Sequence, residues 1–342
     1  MKIKHIFLLT DYKGFFISKQ KAQYYRGGLD LGKVSSYFSV AGITVEVVSF
    51  HELNNASINK DETILLYTSS EDKFGFYKSY IEDVVFHLDQ QGFNVLPAYA
   101  FLKAHNNKVA MELLRDRCGL DSVQTIQTRT FGTLEDLKME AQHFNYPVVI
   151  KPASGAMSKG VSKADNADEL IRAAKRISRT LMPFHDIKEL LRKIKYRSYY
   201  RRESLFRAKF VVQNLIEGLS NDWKVLVYGD KCFALCRNNR PNDFRASGSG
   251  LFIFRKDLPD GMLDFALTIR KHFKVPHISL DIGFDGQKFH LIEFQFLHFG
   301  TTTIEKSPFC FQQVDGRWKC IDGSSELEKV YVESLLNHLQ EK

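Results

Sequence analysis

The chain has 342 residues, 44% hydrophobic and 13% aromatic, with a net charge of +8. That length suits two or three packed domains rather than one simple core, and the composition excludes a disordered chain. Five cysteines at scattered positions exclude a disulfide framework. No stretch is long and apolar enough for a membrane span, and the opening run Ile6–Leu9 meets Asp11 too soon for a signal peptide, so the expected location is cytoplasmic.

In chain order, strand-like runs occur at Ile3–Thr10, Thr44–Phe50, Thr63–Thr68 and Asn94–Ala98, with helical patterns near 21–40 and 77–91. Each helix closes at a glycine, Gly42 or Gly92, as C-caps often do. Strand–helix alternation predicts an α/β domain over 1–102 with a parallel sheet. Gly27-Gly28 lacks the G-x-G-x-x-G spacing of a dinucleotide site. A central domain is expected over 103–210: a helix near 106–118, a strand at 124–131, a helix at 134–144, the strand Tyr146–Lys151 and a helix from about 166. A third domain over 211–342 carries short strands at 210–216, 223–228, 231–236, 251–254, 277–284 and 288–296, with helices near 259–273 and 325–340. Cys232 and Cys236, four apart, and Cys310 and Cys320, ten apart, lack the tighter pairing of zinc sites and read as buried free thiols.

Four stretches could carry chemistry. In V-V-I-K-P-A-S-G-A-M-S-K-G-V the strand delivers Lys151 to its end, and a loop of small residues follows, containing Ser154, Gly155, Ser158 and Gly160. Backbone N–H groups of such a loop can close on phosphate oxygens beside an ammonium; a plain hairpin turn explains it as well. In 211–230 a buried strand ends in polar residues, passes a Glu-Gly turn and resumes, the kind of segment against which an adenine docks. There Gln213, Asn214, Ile216 and Asp222 are the candidates; an ordinary β-connection is the alternative. In 235–250 three arginines precede a Gly/Ser patch, and arginine suits bidentate recognition of phosphate or carboxylate.

The fourth stretch is the hairpin holding Asp281, Glu293 and Gln295. Residues two apart in a strand share a face, so Glu293 and Gln295 stand side by side. With Asp281 they offer the all-oxygen ligand set that Mg²⁺ prefers. A two-residue turn at Asp285-Gly286 would put Asp281 and Glu293 on opposite faces. A shared face requires an odd loop or one bulge, so a metal site predicts that irregularity.

The order of these features resembles the ATP-grasp superfamily, over roughly residues 60–305. Asn107-Lys108 with V-A-M-E-L-L-R-D-R-C-G-L resembles its first ATP-contacting lysine and helix, V-V-I-K-P its second lysine strand, and S-G-A-M-S-K-G-V its glycine-rich lid. D-W-K-V-L-V-Y-G-D and N-D-F-R-A-S-G-S-G are similar to stretches of RimK-like glutamate ligases, and the pair at 278–296 resembles the Asp and Glu-x-Asn magnesium ligands. Gln295 stands where the family has Asn, and Ser247 and Ser249 where RimK-like enzymes carry Asn.

The resemblance implies an N-terminal Rossmann-like pre-grasp domain and two α+β subdomains clasping ATP. It implies an ADP-forming carboxylate–amine ligase, of the RimK-like or glutathione synthetase-like type, working through an acyl phosphate on small-molecule carboxylate and amine substrates. Lys108 and Lys151 would offset phosphate charge, and two Mg²⁺ ions would sit on Asp281, Glu293 and Gln295. Arg237, Arg245 and Lys224 would stabilise the transferring phosphoryl group. A different class remains open: a catalytically inactive nucleotide-binding protein that holds a polyanion.

Segment 172–209 contains 13 Lys and Arg against Asp186, Glu189 and Glu203. Phe184, Ile187, Leu191 and Ile194 follow helical spacing within it. Three readings are open: a solvated helix with one face packed down, an anionic substrate or polyanion site, and a membrane-surface helix. No nucleic-acid-binding module is recognisable. The oligomeric state is open, a homodimer included.

Overall fold

The computed structural model of the chain describes residues 3–22, 24, 27–54, 58–155, 157–241, 243–248 and 250–341. Ala156 of the small-residue loop and Ser249 after Arg245 lie outside the described residues. Two compact units form: Met1–His105 with Leu219–Lys342, and Asn106–Gly218.

The first unit begins as expected, with strands β1 (His5–Thr10), β2 (Thr44–Ser49), β3 (Thr63–Tyr67) and β4 (Val95–Leu96) and helices α1 (Leu31–Val40), α2 (Phe76–Gln90) and α3 (Tyr99–Ala104). The strands are parallel, in the order β2-β1-β3-β4. Helix α1 starts ten residues later than the apolar pattern suggests. Asp30 sets its start, Oδ1 accepting from Lys33 N at 3.1 Å. Upstream, Leu29 N donates to Phe16 O (3.0 Å). A Cβ at Gly28 would lie 2.3 Å from that same oxygen, so only glycine permits the approach.

The second unit holds α4 (Lys108–Arg117), β5 (Thr128–Phe131), α5 (Leu134–Glu140), β6 (Val148–Pro152), β7 (Ser162–Ala164), α6 (Ala167–Ser178), α7 (Pro183–Tyr196) and β8 (Phe210–Asn214). Its antiparallel sheet runs β5-β8-β6-β7. The core packs Leu134, Leu137, Val148, Ile150, Leu170, Ala174, Phe210 and Val212. Each Val, Leu, Ile and Phe side chain among these contributes about 1.5–3 kcal/mol by leaving water. Because β8 pairs with β5 and β6, a boundary at 210/211 would cut the sheet; the compact unit runs on to Gly218.

The chain returns to the first unit with β9 (Asn221–Tyr228), β10 (Lys231–Asn238), β11 (Phe252–Ile253), α8 (Met262–Phe273), β12 (His277–Phe284), β13 (Phe289–Gln295), α9 (Thr302–Glu305), β14 (Phe309–Val314), β15 (Arg317–Asp322) and α10 (Leu327–Gln340). The larger sheet runs β13-β12-β9-β10-β14-β15, with β11 beside β10. The hairpin β14–β15 is absent from the sequence reading. Helix α10 brings Val330, Tyr331 and Leu335 into one core with Ile6, Leu8, Val34 and Phe38. The residues expected as separate first and third domains therefore share a core. Among the cysteines, Cys232, Cys236 and Cys310 are buried free thiols as expected, whereas Cys320 is exposed on β15.

Candidate active site

The candidate residues fall into two groups, one in each unit. In the second unit, Lys108 opens α4 behind the cap Asn107, whose Oδ1 accepts from Ala110 N at 3.3 Å. The small-residue loop is stitched to this helix start. Lys108 N donates to Ala153 O (2.7 Å), Lys108 Nζ to Gly155 O (3.1 Å), and Gly155 N to Asn106 Oδ1 (3.0 Å). Lys151 sits near the end of β6, opposite Val211. Met157 and Ser158 both have φ near +55°, which costs non-glycine residues energy. Gly160, at φ +76°, has Pro152 against the place a Cβ would occupy. The structure thus places Lys108, Lys151, Ser154, Gly155, Ser158 and Gly160 around one helix start and one loop.

Gln213 has other work. Its buried amide Nε2 donates to Glu112 Oε1 (3.1 Å) and Thr128 Oγ1 (2.9 Å). Glu112 also accepts from Thr128 Oγ1 (3.0 Å) and pairs with Arg115 (3.2 Å), with Glu112 and Arg115 deeply buried. This network ties α4 to β5 and β8, so the Gln213 side chain is structural rather than a ready nucleotide contact. Asn214 Oδ1 likewise accepts from Gln127 N at 2.6 Å. Ile216 is half-buried beyond the strand.

In the first unit, the hairpin β12–β13 has the irregularity that a shared face demands. Phe284 to Ile282 pair with Phe289 to Leu291, then the register shifts, and Asp281, Leu280 and Ser279 pair with Glu293, Phe294 and Gln295. Ile292 is the extra residue, a β-bulge. The connection Asp285–Lys288 is even in length, so the bulge alone restores the face. Asp285 Oδ1 holds the turn by accepting from Gln287 N (2.8 Å) and Lys288 N (2.7 Å). Phe294 and Phe296 are buried, packing on Phe273 with ring centroids 5.3 and 5.2 Å away.

On the next strand Lys224 stands opposite Asp281, and on β10 Arg237 stands opposite Asp222. Arg237 grips Asp222 with Nε (2.6 Å) and Nη2 (2.8 Å) and reaches Asp281 at 2.9 Å. Lys224 Nζ donates to Ser279 Oγ (2.9 Å) and lies 3.5 Å from Asp281. Gln295 Nε2 donates to Glu293 Oε1 at 3.2 Å. Burial works against the charge of Asp281, but Arg237 and Lys224 outweigh it and hold the carboxyl below its ordinary range. Burial also pushes Asp222 upward, since it shares its guanidinium with Asp281. Arg237 stays ionised between them, its burial outweighed by Asp281 and Asp222.

Asp222, expected at the nucleotide, is therefore an ion-pair partner that fixes Arg237. Arg245 instead forks onto Asp243, with contacts of 2.6–2.9 Å. Among the described residues no group of three or more His, Cys, Asp or Glu could hold a metal. Asp281, Glu293 and the amide oxygen of Gln295 nevertheless present hard oxygen donors on one face, which fits Mg²⁺ and not a soft metal. Ser279, on that face, was missed by the sequence reading, although its place two residues before Asp281 is the signal.

A second feature of this unit is a cavity of about 440 Å³ lined by Asp11, Lys13, Ser69, Glu71, His298 and Thr301, among others. It opens at the carboxyl ends of β1 and β3, where the strand order reverses, the usual ligand position on parallel sheets. Ser69 is buried and its Oγ has no hydrogen-bond partner among the described residues. His298 Nε2 lies 2.7 Å from Thr68 Oγ1, and burial, with His105 nearby, lowers its pKa to about 4. The Thr301 hydroxyl is occupied, donating to Glu305 (2.5 Å) and accepting from Gln20 N (2.9 Å).

No family model matches the chain. Over 92 residues it is 33% identical to a formate-dependent phosphoribosylglycinamide formyltransferase of Erythrobacter litoralis (strain HTCC2594), covering 27% of this chain and 23% of that protein. Likeness to solved structures extends over the whole chain. The D-cycloserine synthetase DcsG gives a TM-score of 0.52 at 13% identity, covering 99% of this chain and all of that one. The ATP-grasp ligase PsnB, complexed with its precursor peptide and AMPPNP, gives 0.51 at 13% identity, covering 99% and 98%. The ADP complex of the N5-carboxyaminoimidazole ribonucleotide synthetase purK gives 0.51 at 10% identity, covering 90% and 74%.

Proposed function

Because this chain has the ATP-grasp fold, we propose that it is an ATP-dependent carboxylate–amine ligase. One observation carries the reading most: the bulge at Ile292 sets Asp281, Glu293 and Gln295 on one face beside Lys224. In the reaction a substrate carboxylate attacks the γ-phosphorus of ATP, releasing ADP and giving an acyl phosphate. An amine then attacks the acyl carbon, forming the amide and expelling phosphate. Mg²⁺ on Asp281, Glu293 and Gln295 would neutralise phosphate charge.

The protein's share is positioning and electrostatics. Lys108 and Lys151, with the loop at Ser154–Gly160, are assigned to the nucleotide phosphates. Lys224 is assigned to the transferring phosphoryl group, and Arg237, clamped by Asp222, keeps Asp281 ionised and aimed. Arg245 stands on the loop after β10 as a further phosphoryl cation. The cavity with the unsatisfied Ser69 hydroxyl is assigned to one of the two small substrates. The free cysteines suit a reducing compartment, and we place the protein in the cytoplasm.

The test is ADP release with Mg-ATP and a panel of carboxylic acids and amines. Formation of ADP only when both an acid and an amine are present supports the ligase. Tight Mg-ATP binding with no turnover across a complete panel would favour the non-catalytic nucleotide-binding protein instead.

A further inference from the structure

Helix α7 (Pro183–Tyr196) presents its apolar face to solvent and its acid to the protein. Pro183 at the first turn and Asp186, whose Oδ2 accepts from Met182 N at 3.3 Å, fix its start. On the inner side Glu189 is the buried residue of the helix. It accepts from Tyr200 Oη (2.6 Å), Arg192 Nη1 (2.8 Å) and Glu203 N (3.2 Å). These bonds, the tyrosine hydroxyl foremost, hold its carboxyl at about 2. With 3.6 residues per turn, Phe184, Ile187, Leu190, Leu191 and Ile194 fall on the side away from Glu189. Phe184 is 86% exposed, Ile187 57%, Leu191 59% and Ile194 64%. Of the three open readings, the helix with its apolar face packed down does not hold, because a carboxylate and its donors occupy the inner side instead.

One flank of the stripe is basic. Lys188 and Lys195 border that edge, both exposed, whereas Lys193 turns toward the Glu189 side, where its Nζ donates to Arg197 O and Tyr200 O. Just beyond the helix end stand Arg197, Arg201 and the 96% exposed Tyr199. An aliphatic stripe about 15 Å long, edged by lysines and followed by a tyrosine, is the pattern of a helix lying in a membrane interface. We propose that α7 docks this protein on an anionic lipid bilayer, its stripe among the acyl chains and its cations at the headgroups.

Charge decides against the other occupants. A second copy would bring two strongly cationic segments together, each with 13 Lys and Arg against 3 acids. A nucleic acid would match the charge but leave the five aliphatic and aromatic side chains of the stripe in water. An anionic layer with an apolar interior satisfies both the stripe and its cations.

The experiment is sedimentation of the full chain with phosphatidylcholine vesicles, with and without phosphatidylserine. Binding is expected to the phosphatidylserine vesicles, weakening as salt rises. The double variant I187S/L191S, which leaves Glu189 and the inner face untouched, should weaken it by about tenfold or more. The variant K188Q/K195Q should also weaken it by about tenfold. Circular dichroism and ADP formation, unchanged in both variants, establish that the fold is intact. Failure of the intact chain to bind phosphatidylserine vesicles overturns the proposal. So does binding that I187S/L191S leaves untouched, which would mark a polyanion site, and so does self-association abolished by I187S/L191S without vesicle binding.

Discussion

Asp281 and Glu293 face one another across β12 and β13 because Ile292 has no opposite number. Without that extra residue the even loop at Asp285–Lys288 would turn Glu293 to the phenylalanine side. The face so assembled should behave as a metal site. Glu293→Ala is expected to lower kcat for ADP formation by about 100-fold or more, with the Mg²⁺ requirement shifted to higher concentration. Glu293 is half-buried and its loss opens no cavity, so the unfolding midpoint should stay nearly constant. Turnover at the original rate would remove Glu293 from the metal site.

Ser69 gives a second prediction, with stability and affinity moving apart. Its hydroxyl is buried at the cavity wall without a partner among the described residues. An unsatisfied buried hydroxyl costs about 1–3 kcal/mol, so Ser69→Ala should leave the unliganded protein as stable as before, or more so. If the hydroxyl serves a substrate, the same change should raise the KM of one substrate about tenfold while KM for ATP holds. Steady-state kinetics and thermal melts on one preparation decide it.

The buried network of the second unit should be costly to break. Glu112 and Arg115 are both about 1% exposed, and Glu112 also serves Thr128 and Gln213. Glu112→Ala removes the carboxylate paired with a buried guanidinium, an expected loss of about 3–5 kcal/mol. Gln213→Leu should cost less, about 1–3 kcal/mol, since it removes one donor and leaves the ion pair. Urea unfolding, followed by a probe placed in Asn106–Gly218, reads both.

The placement of several candidate residues is legible in residue order alone. Lys108, Lys151, Asp281 and Glu293 sit where strand ends and helix starts were recognisable, and one parity argument foretold the bulge. The Gln213 contact is not legible locally, because its partner Glu112 lies 101 residues away and pairing at that distance leaves no local pattern. The Asp222 ion pair is hidden for a similar reason: it depends on which residue of β10 stands opposite. The hairpin β14–β15 has its signal in Asp315-Gly316, both at positive φ as a tight turn requires. The outward face of α7 was not legible, because spacing shows that a stripe exists but not which way the helix rolls.

His277 supplies a pH dependence whose sign can be worked out. It is buried between Tyr228 and Tyr331, with ring centroids 5.3 and 4.9 Å away. Burial, aided by His338 and Arg270, lowers its pKa to about 3. In the unfolded chain a histidine titrates near 6.5, so between roughly pH 6.5 and 3 the unfolded state binds the extra proton. Stability therefore falls as pH drops through that window and is fully retained above it. The contribution approaches about 5 kcal/mol at the acid end, from about 1.4 kcal/mol per pH unit. His277→Phe keeps the aromatic packing and removes the titration. Urea midpoints measured from pH 7.5 down to 4.5 should fall less steeply in His277→Phe than in the parent, and parallel slopes would show that His277 is not the group responsible.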